Sequence, residues 1–134
     1  YGKEYSESWF GQEQPPKPLR MTEGYQAPPL DGIWATAPYF HNGSVPTLDG
    51  VLNSKARPKL FTRSFKTAEA DYDKARVGWK VTELREPLDA KRPAIERRRV
   101  YDTSKPGRSN GGHTYGDDLT DEERTQVIEY LKTL

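Results

Sequence analysis

The chain has 134 residues, the length of one ordinary domain, and only 33% of them are hydrophobic whereas 31% are charged. It contains no cysteine, which excludes disulfides, thiolate metal sites, iron–sulfur clusters and catalytic thiols. The net charge is +1, but residues 51–100 carry fourteen basic and seven acidic side chains. Because no nucleic-acid motif accompanies this basic centre around Arg97, Arg98 and Arg99, we interpret it as a solvated face or a surface for an acidic partner.

The sequence lacks the features of a membrane span or a secretion signal. A span requires about 18 consecutive apolar residues, and no run approaches that length. No basic segment precedes an apolar one, as a signal peptide would need. Since Tyr1 rather than methionine opens the sequence, we expect a processed product or a partial chain.

Residues 1–29 predict an extended arm, because they are polar and contain five prolines. Aromatic side chains are common in this arm and suggest that it lies on another surface. They are Tyr1, Tyr5, Trp9, Phe10 and Tyr25. Eleven Pro and eleven Gly in the whole chain indicate that long loops outweigh regular structure.

The next segment combines an apolar run with a turn and a short helix. Residues 33–40 are apolar enough to be buried, and Asn42-Gly43 predicts a turn since both residues tolerate positive φ. Thr47 is placed to cap a short helix over residues 48–52, which has leucine and valine at helical spacing. Pro58 prevents its continuation.

Residues 58–112 are the least regular part of the sequence. FTRSFK and VGWKVTEL alternate between apolar and polar residues and are weak candidates for strands. SKPGRSNGGH contains three glycines, a proline and an asparagine, which predicts a wrapped loop.

The last segment predicts a helix over residues 120–133. Thr120 and Glu123 have the spacing of a capping box, and three acidic residues suit the positive end of the helix. Val127, Ile128, Leu131 and Leu134 form one apolar stripe.

His41 and His113 are the only histidines, and neither has a second histidine or a carboxylate at the spacing of a local metal site. From the residues alone, His41 is either a residue bonded into its turn or part of a cofactor site, and His113 is either an exposed loop residue or a ligand. Haem iron accepts a single imidazole from one chain and a second ligand from elsewhere. The apolar run IWATAPYF would suit the face of a haem.

Two blocks of the sequence resemble a known family. GYQAPPLDGIWATAPYFHNGSVPTLDGVL, residues 24–52, resembles the segment that marks the last haem domain of the bacterial dihaem cytochrome c peroxidase superfamily. YDTSKPGRSNGGHTYGDDLTDEERTQVIEYLKTL, residues 101–134, is similar to the tail of the branch that contains the rubber oxygenases. The resemblance implies a mainly α fold with long irregular loops, in which residues 30–134 form the C-terminal portion of a cytochrome c-type haem domain.

The resemblance also implies roles for individual residues. The rubber-oxygenase branch, which this sequence resembles, has a distal histidine after the aromatic segment. The resemblance therefore implies that His113 is a ligand of haem iron. His41 would lie near the haem, and Trp34, Tyr39 and Phe40 would form an apolar wall. The cofactor-binding residues expected on this basis are His113, His41, Trp34, Tyr39, Phe40 and Tyr115.

One departure from the family is large, because the Cys-x-x-Cys-His motif that attaches haem is absent. The resemblance therefore implies haem c that is covalently held outside this chain, by an upstream haem-bearing polypeptide or subunit, together with a redox partner protein. It implies a periplasmic or secreted multihaem cytochrome that performs electron transfer or peroxidase-like chemistry. Two alternatives stay open: a haem-free structural or interaction module, and part of a haem oxygenase acting on a hydrophobic substrate.

Overall fold

A computed structural model of the chain describes residues 3, 7–9, 12 and 27–134. Most of the predicted arm over residues 1–29 lies outside the described residues. Within residues 27–134 there are three α-helices, namely α1 (Leu48–Leu52), α2 (Ala94–Arg98) and α3 (Asp121–Leu131). Short 3-10 helices occur at Ile33–Ala35, Ser54–Ala56 and Glu69–Asp71.

In the described part of the chain, five short strands form two antiparallel sheets. They are β1 (Leu60–Arg63), β2 (Tyr72–Asp73), β3 (Gly78–Trp79), β4 (Val81–Glu83) and β5 (Val100–Asp102). The larger sheet has the order β4-β1-β5, with Phe61 of the central strand opposite Glu83 on one side and Tyr101 on the other. The strands β2 and β3 pair with each other.

The expectation of a mainly α fold is wrong. Helices hold 28% of the described residues and antiparallel strands 15%. The run FTRSFK overlaps β1, whereas VGWKVTEL divides between β3 and β4, which lie in different sheets. These β-branched and aromatic runs are too short to sustain helices, and pairing with β4 and β5, about 20 and 40 residues away, stabilises β1. Local periodicity does not report such distant partners.

The predicted C-terminal helix is confirmed as α3. The Thr120 hydroxyl accepts from the Glu123 backbone N–H at 3.2 Å, and the Glu123 carboxylate accepts from the Thr120 N–H at 2.8 Å. Ile128 is buried in the core. The buried Arg124 donates from Nε to the Leu52 carbonyl at 3.2 Å, so α3 is tied to the end of α1.

The predicted helix after Thr47 is confirmed as α1, because the Thr47 hydroxyl accepts from the Gly50 N–H at 3.2 Å. This helix contributes Leu48 to a small core. The buried members of the core are Tyr39, Val45, Leu48, Val77 and Ile128. Among the residues that the structure describes, no helix is long and apolar enough to cross a bilayer.

Candidate functional site

Two loops that are far apart in the sequence meet at Phe40 and His113. Their ring centroids are 4.8 Å apart, and the Tyr115 ring lies 6.4 Å from the imidazole. Phe40 packs partly against the core, whereas His113 is exposed and Tyr115 is 92% exposed. We call Phe40, His113 and Tyr115 the imidazole cluster, because it presents one histidine at the surface beside two aromatic rings.

The backbone of the imidazole cluster is held in an unusual conformation. Phe40 has φ +64° and His113 has φ +47°, in the left-handed region that favours glycine. Such a conformation costs about 1–2 kcal/mol for a residue with a Cβ. Phe40 opens the turn predicted at Asn42-Gly43, which is confirmed because the Gly43 N–H donates to the Phe40 carbonyl at 3.1 Å. Strained residues of this kind concentrate at functional sites.

Arg57 fixes the loop that carries His113. Its side chain is buried, with the residue only 8% exposed, and the guanidinium carbon lies 4.9 Å from the centroid of the Phe40 ring. The guanidinium also donates to five backbone carbonyls. They belong to Gly50 at 2.7 Å, Val51 at 3.3 Å, Asn110 at 2.7 Å, Gly112 at 2.7 Å and His113 at 2.9 Å. One side chain therefore joins α1, Phe40 and the histidine loop.

The charge of Arg57 is partly balanced by Asp117. Burial lowers the pKa of Arg57, and the negative charge of Asp117 acts in the opposite direction. The Asp117 carboxylate accepts from the Ser54 hydroxyl at 2.6 Å and from the Ser54 N–H at 2.7 Å. These hydrogen bonds, and to a lesser extent the charge of Arg57, hold the pKa of Asp117 below its ordinary value of 3.8.

The lowered pKa predicts how Asp117 contributes to acid stability. A carboxylate with a lower pKa in the folded state stabilises fully above its unfolded pKa, and this contribution is lost as the pH falls through the folded pKa. We expect Asp117→Asn to be less stable than the wild type at pH 7, and the difference to shrink below about pH 4. Urea unfolding from pH 3 to pH 7 measures this, with Asp118→Asn as the matched control. A difference that is constant with pH would contradict the assignment.

The structure places the other predicted cofactor residues in different surroundings. Tyr39 is 6% exposed within the core, and its hydroxyl donates to the Ile33 carbonyl at 3.0 Å. Trp34 is 46% exposed, and its Nε1 donates to the Leu134 carbonyl at 3.2 Å. His41 is exposed at the turn after Phe40. Of the predicted apolar wall, Phe40 is therefore the member that contacts His113, and the cofactor roles of all these residues stay predictions.

Trp34 also borders an apolar cleft of about 670 Å³ that Tyr72 and Trp79 line as well. The Tyr72 hydroxyl donates to the Trp34 carbonyl, and the Trp79 Nε1 donates to the Ala37 carbonyl at 2.9 Å. The indole of Trp34 is thus bonded to Leu134 and its backbone to Tyr72 of β2, away from the contacts that surround His113.

Arg57 is the functional residue that the sequence reasoning missed. In the sequence it precedes Pro58 and reads only as the end of a helical segment. Because Arg57 binds backbone carbonyls, its partners can be residues of any type and cannot be recognised in the sequence. The only indication of this contact is the run of asparagine and two glycines at residues 110–112, which predicts a loop. No group of three or more histidine, cysteine or acidic side chains is positioned to hold a metal ion in the described part of the chain.

Comparison with known proteins supports one part of the resemblance. Residues 24–62 match the model of a family described as RoxA-like, cytochrome c-like. The chain is 36% identical over 150 residues to the uncharacterized protein y4iJ of Sinorhizobium fredii (strain NBRC 101917 / NGR234), with 94% of the chain and 23% of y4iJ covered. It is also 36% identical over 130 residues to the uncharacterized protein y4iM of the same organism, with 83% of the chain and 27% of y4iM covered.

The chain spans about a quarter of the length of these curated relatives, 23% of one and 27% of the other. The segment that matches the family model contains α1, Phe40 and Arg57, and it ends before the loop of His113. In this segment, Phe40 contacts the imidazole of His113, and Arg57 binds the backbone of its loop. The match over residues 24–62 supports a RoxA-like cytochrome c family and suggests a cytochrome c-type module.

Proposed function

We propose that this chain is the C-terminal portion or a subunit of a periplasmic or secreted multihaem c-type cytochrome, and that His113 is an axial ligand of a haem tethered elsewhere. The observation that carries the proposal is the exposed imidazole of His113, which contacts Phe40 of the cytochrome c-like segment. Its backbone is anchored by Arg57.

The residues of the imidazole cluster fit a haem in two respects. Imidazole nitrogen is a common axial ligand of haem iron, and aromatic rings suit the apolar surface of the porphyrin. The chain has no cysteine, so thioether attachment does not fit and belongs to a haem-bearing polypeptide with Cys-x-x-Cys-His motifs. With two protein ligands on its iron, a haem would supply electron transfer to a redox partner rather than activation of peroxide or oxygen.

The other residues of the site prepare His113 for this role. Three of the five hydrogen bonds of Arg57 hold the loop backbone, which fixes the direction of the imidazole before a ligand is bound. Phe40 shields one part of the imidazole from water. Tyr115 is almost fully exposed, so contact with a haem-bearing polypeptide would bury its ring and exclude further water.

The test replaces the imidazole without disturbing the loop. His113 has positive φ, so His113→Gly relieves strain while it removes the proposed ligand. In the native haem-containing protein we expect a change of the haem spectrum from low spin to high spin, and a return to low spin when free imidazole is added. The control is His41→Ala, which we expect to remain low spin. Absorption and resonance Raman spectra measure both variants.

Two results would refute the proposal at different levels. A low-spin spectrum in His113→Gly without added imidazole would reject the ligand assignment. A native protein with no Soret band would reject the cytochrome itself and favour the haem-free interaction module, which the absence of cysteine also permits.

A further inference from the structure

A second feature of the molecule is a groove of about 460 Å³ that is separate from the contacts of His113. Arginines and aromatic rings from four segments line it, including β1, β3 and β5. Its cationic side chains are Arg63, Arg98, Arg99 and Arg108, and we call this feature the arginine groove.

Aromatic rings hold three of these guanidinium groups. The Arg63 guanidinium carbon lies 4.8 Å from the centroid of the Trp79 ring, and that of Arg99 lies 5.1 Å from the Phe65 ring. Arg108 lies 5.6 Å from the ring of Tyr101. A ring covers one face of a planar guanidinium and leaves its edge of N–H donors, which is the edge that pairs with a carboxylate or phosphate. One of these donors, Nη1 of Arg63, bonds to the Ser64 carbonyl at 3.2 Å.

Among the described residues, the arginines of the groove lack the carboxylate partners that three arginines elsewhere have. Elsewhere Arg76 pairs with Asp49 at 3.0 Å, Arg92 with Glu96 at 3.3 Å and Arg124 with Asp121 at 2.6 Å. Within the described residues, none of the four groove arginines has a carboxylate oxygen within 4.0 Å.

The nearby acid Asp102 forms no ion pair with an arginine of the groove. Its carboxylate accepts from the Ser104 hydroxyl at 2.6 Å and from the Ser104 N–H at 3.0 Å, and these hydrogen bonds are the main cause of its lowered pKa. The charges of Lys105 and Arg108 lower the pKa of Asp102 further. The four cations therefore produce a concentrated positive potential in a concave site.

We propose that the arginine groove binds a small oligoanion with a planar apolar body. Its carboxylate or phosphate groups would pair with the guanidinium edges, which form two parallel hydrogen bonds with such groups. Its planar body would lie against the exposed part of Phe65, a residue that is 62% exposed and whose ring Arg63 and Arg99 also approach, at 5.7 and 5.1 Å. The volume lies in the range of about 300–1,000 Å³ that is typical of small-molecule sites.

Isothermal titration calorimetry of the native full-length protein tests this with three probes. Pyromellitate carries carboxylates on a planar ring, pyrophosphate carries charge without a ring, and benzamide carries a ring without charge. We expect pyromellitate to bind most tightly, pyrophosphate to compete with it, and benzamide to bind at least about tenfold more weakly. Equal affinity for benzamide and pyromellitate would overturn the proposal, as would a single-stranded oligonucleotide that binds more tightly than pyromellitate.

Substitutions of the groove arginines show where pyromellitate binds. Arg99→Gln and Arg63→Gln should each weaken pyromellitate binding by about tenfold, because each removes a charge-assisted pair. Arg99→Lys keeps the charge but loses the planar edge, so we expect an intermediate loss. Arg85→Gln is the matched control, since Arg85 is exposed and lies outside the groove. This variant should bind pyromellitate as tightly as the wild type does. Undiminished affinity in Arg99→Gln, which changes an exposed side chain, would overturn the proposal.

Discussion

Arg57→Ala is expected to lower the free energy of unfolding by more than about 3 kcal/mol, because a buried hydrogen bond to a charged group contributes about 1.5–3 kcal/mol. The substitution removes the donor from five backbone carbonyls at once. Water can reach some of these carbonyls after the loop relaxes, so the separate losses will not add fully. Urea denaturation of the native protein measures the change.

Two variants show whether the loss comes from the geometry of the guanidinium. Arg57→Lys keeps the positive charge, but its single ammonium cannot reach carbonyls on both α1 and the histidine loop, so we expect most of the loss to remain. Arg76→Ala removes an arginine from an exposed ion pair with Asp49 and should cost at most about 1 kcal/mol. A wild-type unfolding midpoint in Arg57→Ala would contradict the anchoring role.

Gly78→Ala is the second substitution with a large expected effect. A Cβ at this position would lie 2.2 Å from the Pro46 carbonyl oxygen and 2.8 Å from the Thr47 Cα, and Gly78 has φ +150°. Both neighbours are backbone atoms, held in place because the Trp79 N–H donates to the Pro46 carbonyl at 3.0 Å. We expect the free energy of unfolding to fall by more than about 3 kcal/mol, since β3 must move away from Pro46 and Thr47 at the start of α1.

Gly107→Ala is the control for this substitution. Gly107 has φ +74° but no atom within 4 Å of a Cβ built on it, so this change adds backbone strain without a clash. We expect a cost of about 1 kcal/mol. Thermal unfolding of both variants separates the two effects, and similar losses would show that conformation rather than close approach governs Gly78.

The parts of the fold that the sequence predicts are those with local causes. The capping box at Thr120 and the hydroxyl of Thr47 each bond to an N–H three residues ahead, so the residue types and their spacing suffice. The sheet has no such local cause. Phe61 faces Tyr101 and Glu83 because three distant runs converge, and the expectation of a mainly α fold arose from the resemblance, not from these runs.

The candidate site divides in the same way. The aromatic segment with Phe40 and the histidine loop are each visible in the sequence, and the resemblance relates both to a haem. The contact between the Phe40 and His113 rings at 4.8 Å depends on Arg57, which donates to backbone carbonyls. Every residue has a backbone carbonyl, so the sequence does not show which residues bind this arginine. The basic run around Arg99 is equally visible, but its approach to Phe65 and Trp79 follows from the pairing of β1 with β5 and from the position of β3.

The reach of Arg57 has a consequence for how the chain acquires its structure during synthesis. Its carbonyl partners on the far side belong to residues 110–113, so more than fifty further residues must leave the ribosome before this arginine can be enclosed. The central strand β1 must also wait for β4 and β5. Contacts of such high sequence separation slow folding. The first half of this unit also leaves the ribosome before its partners, and it is accessible to chaperones and proteases until they follow.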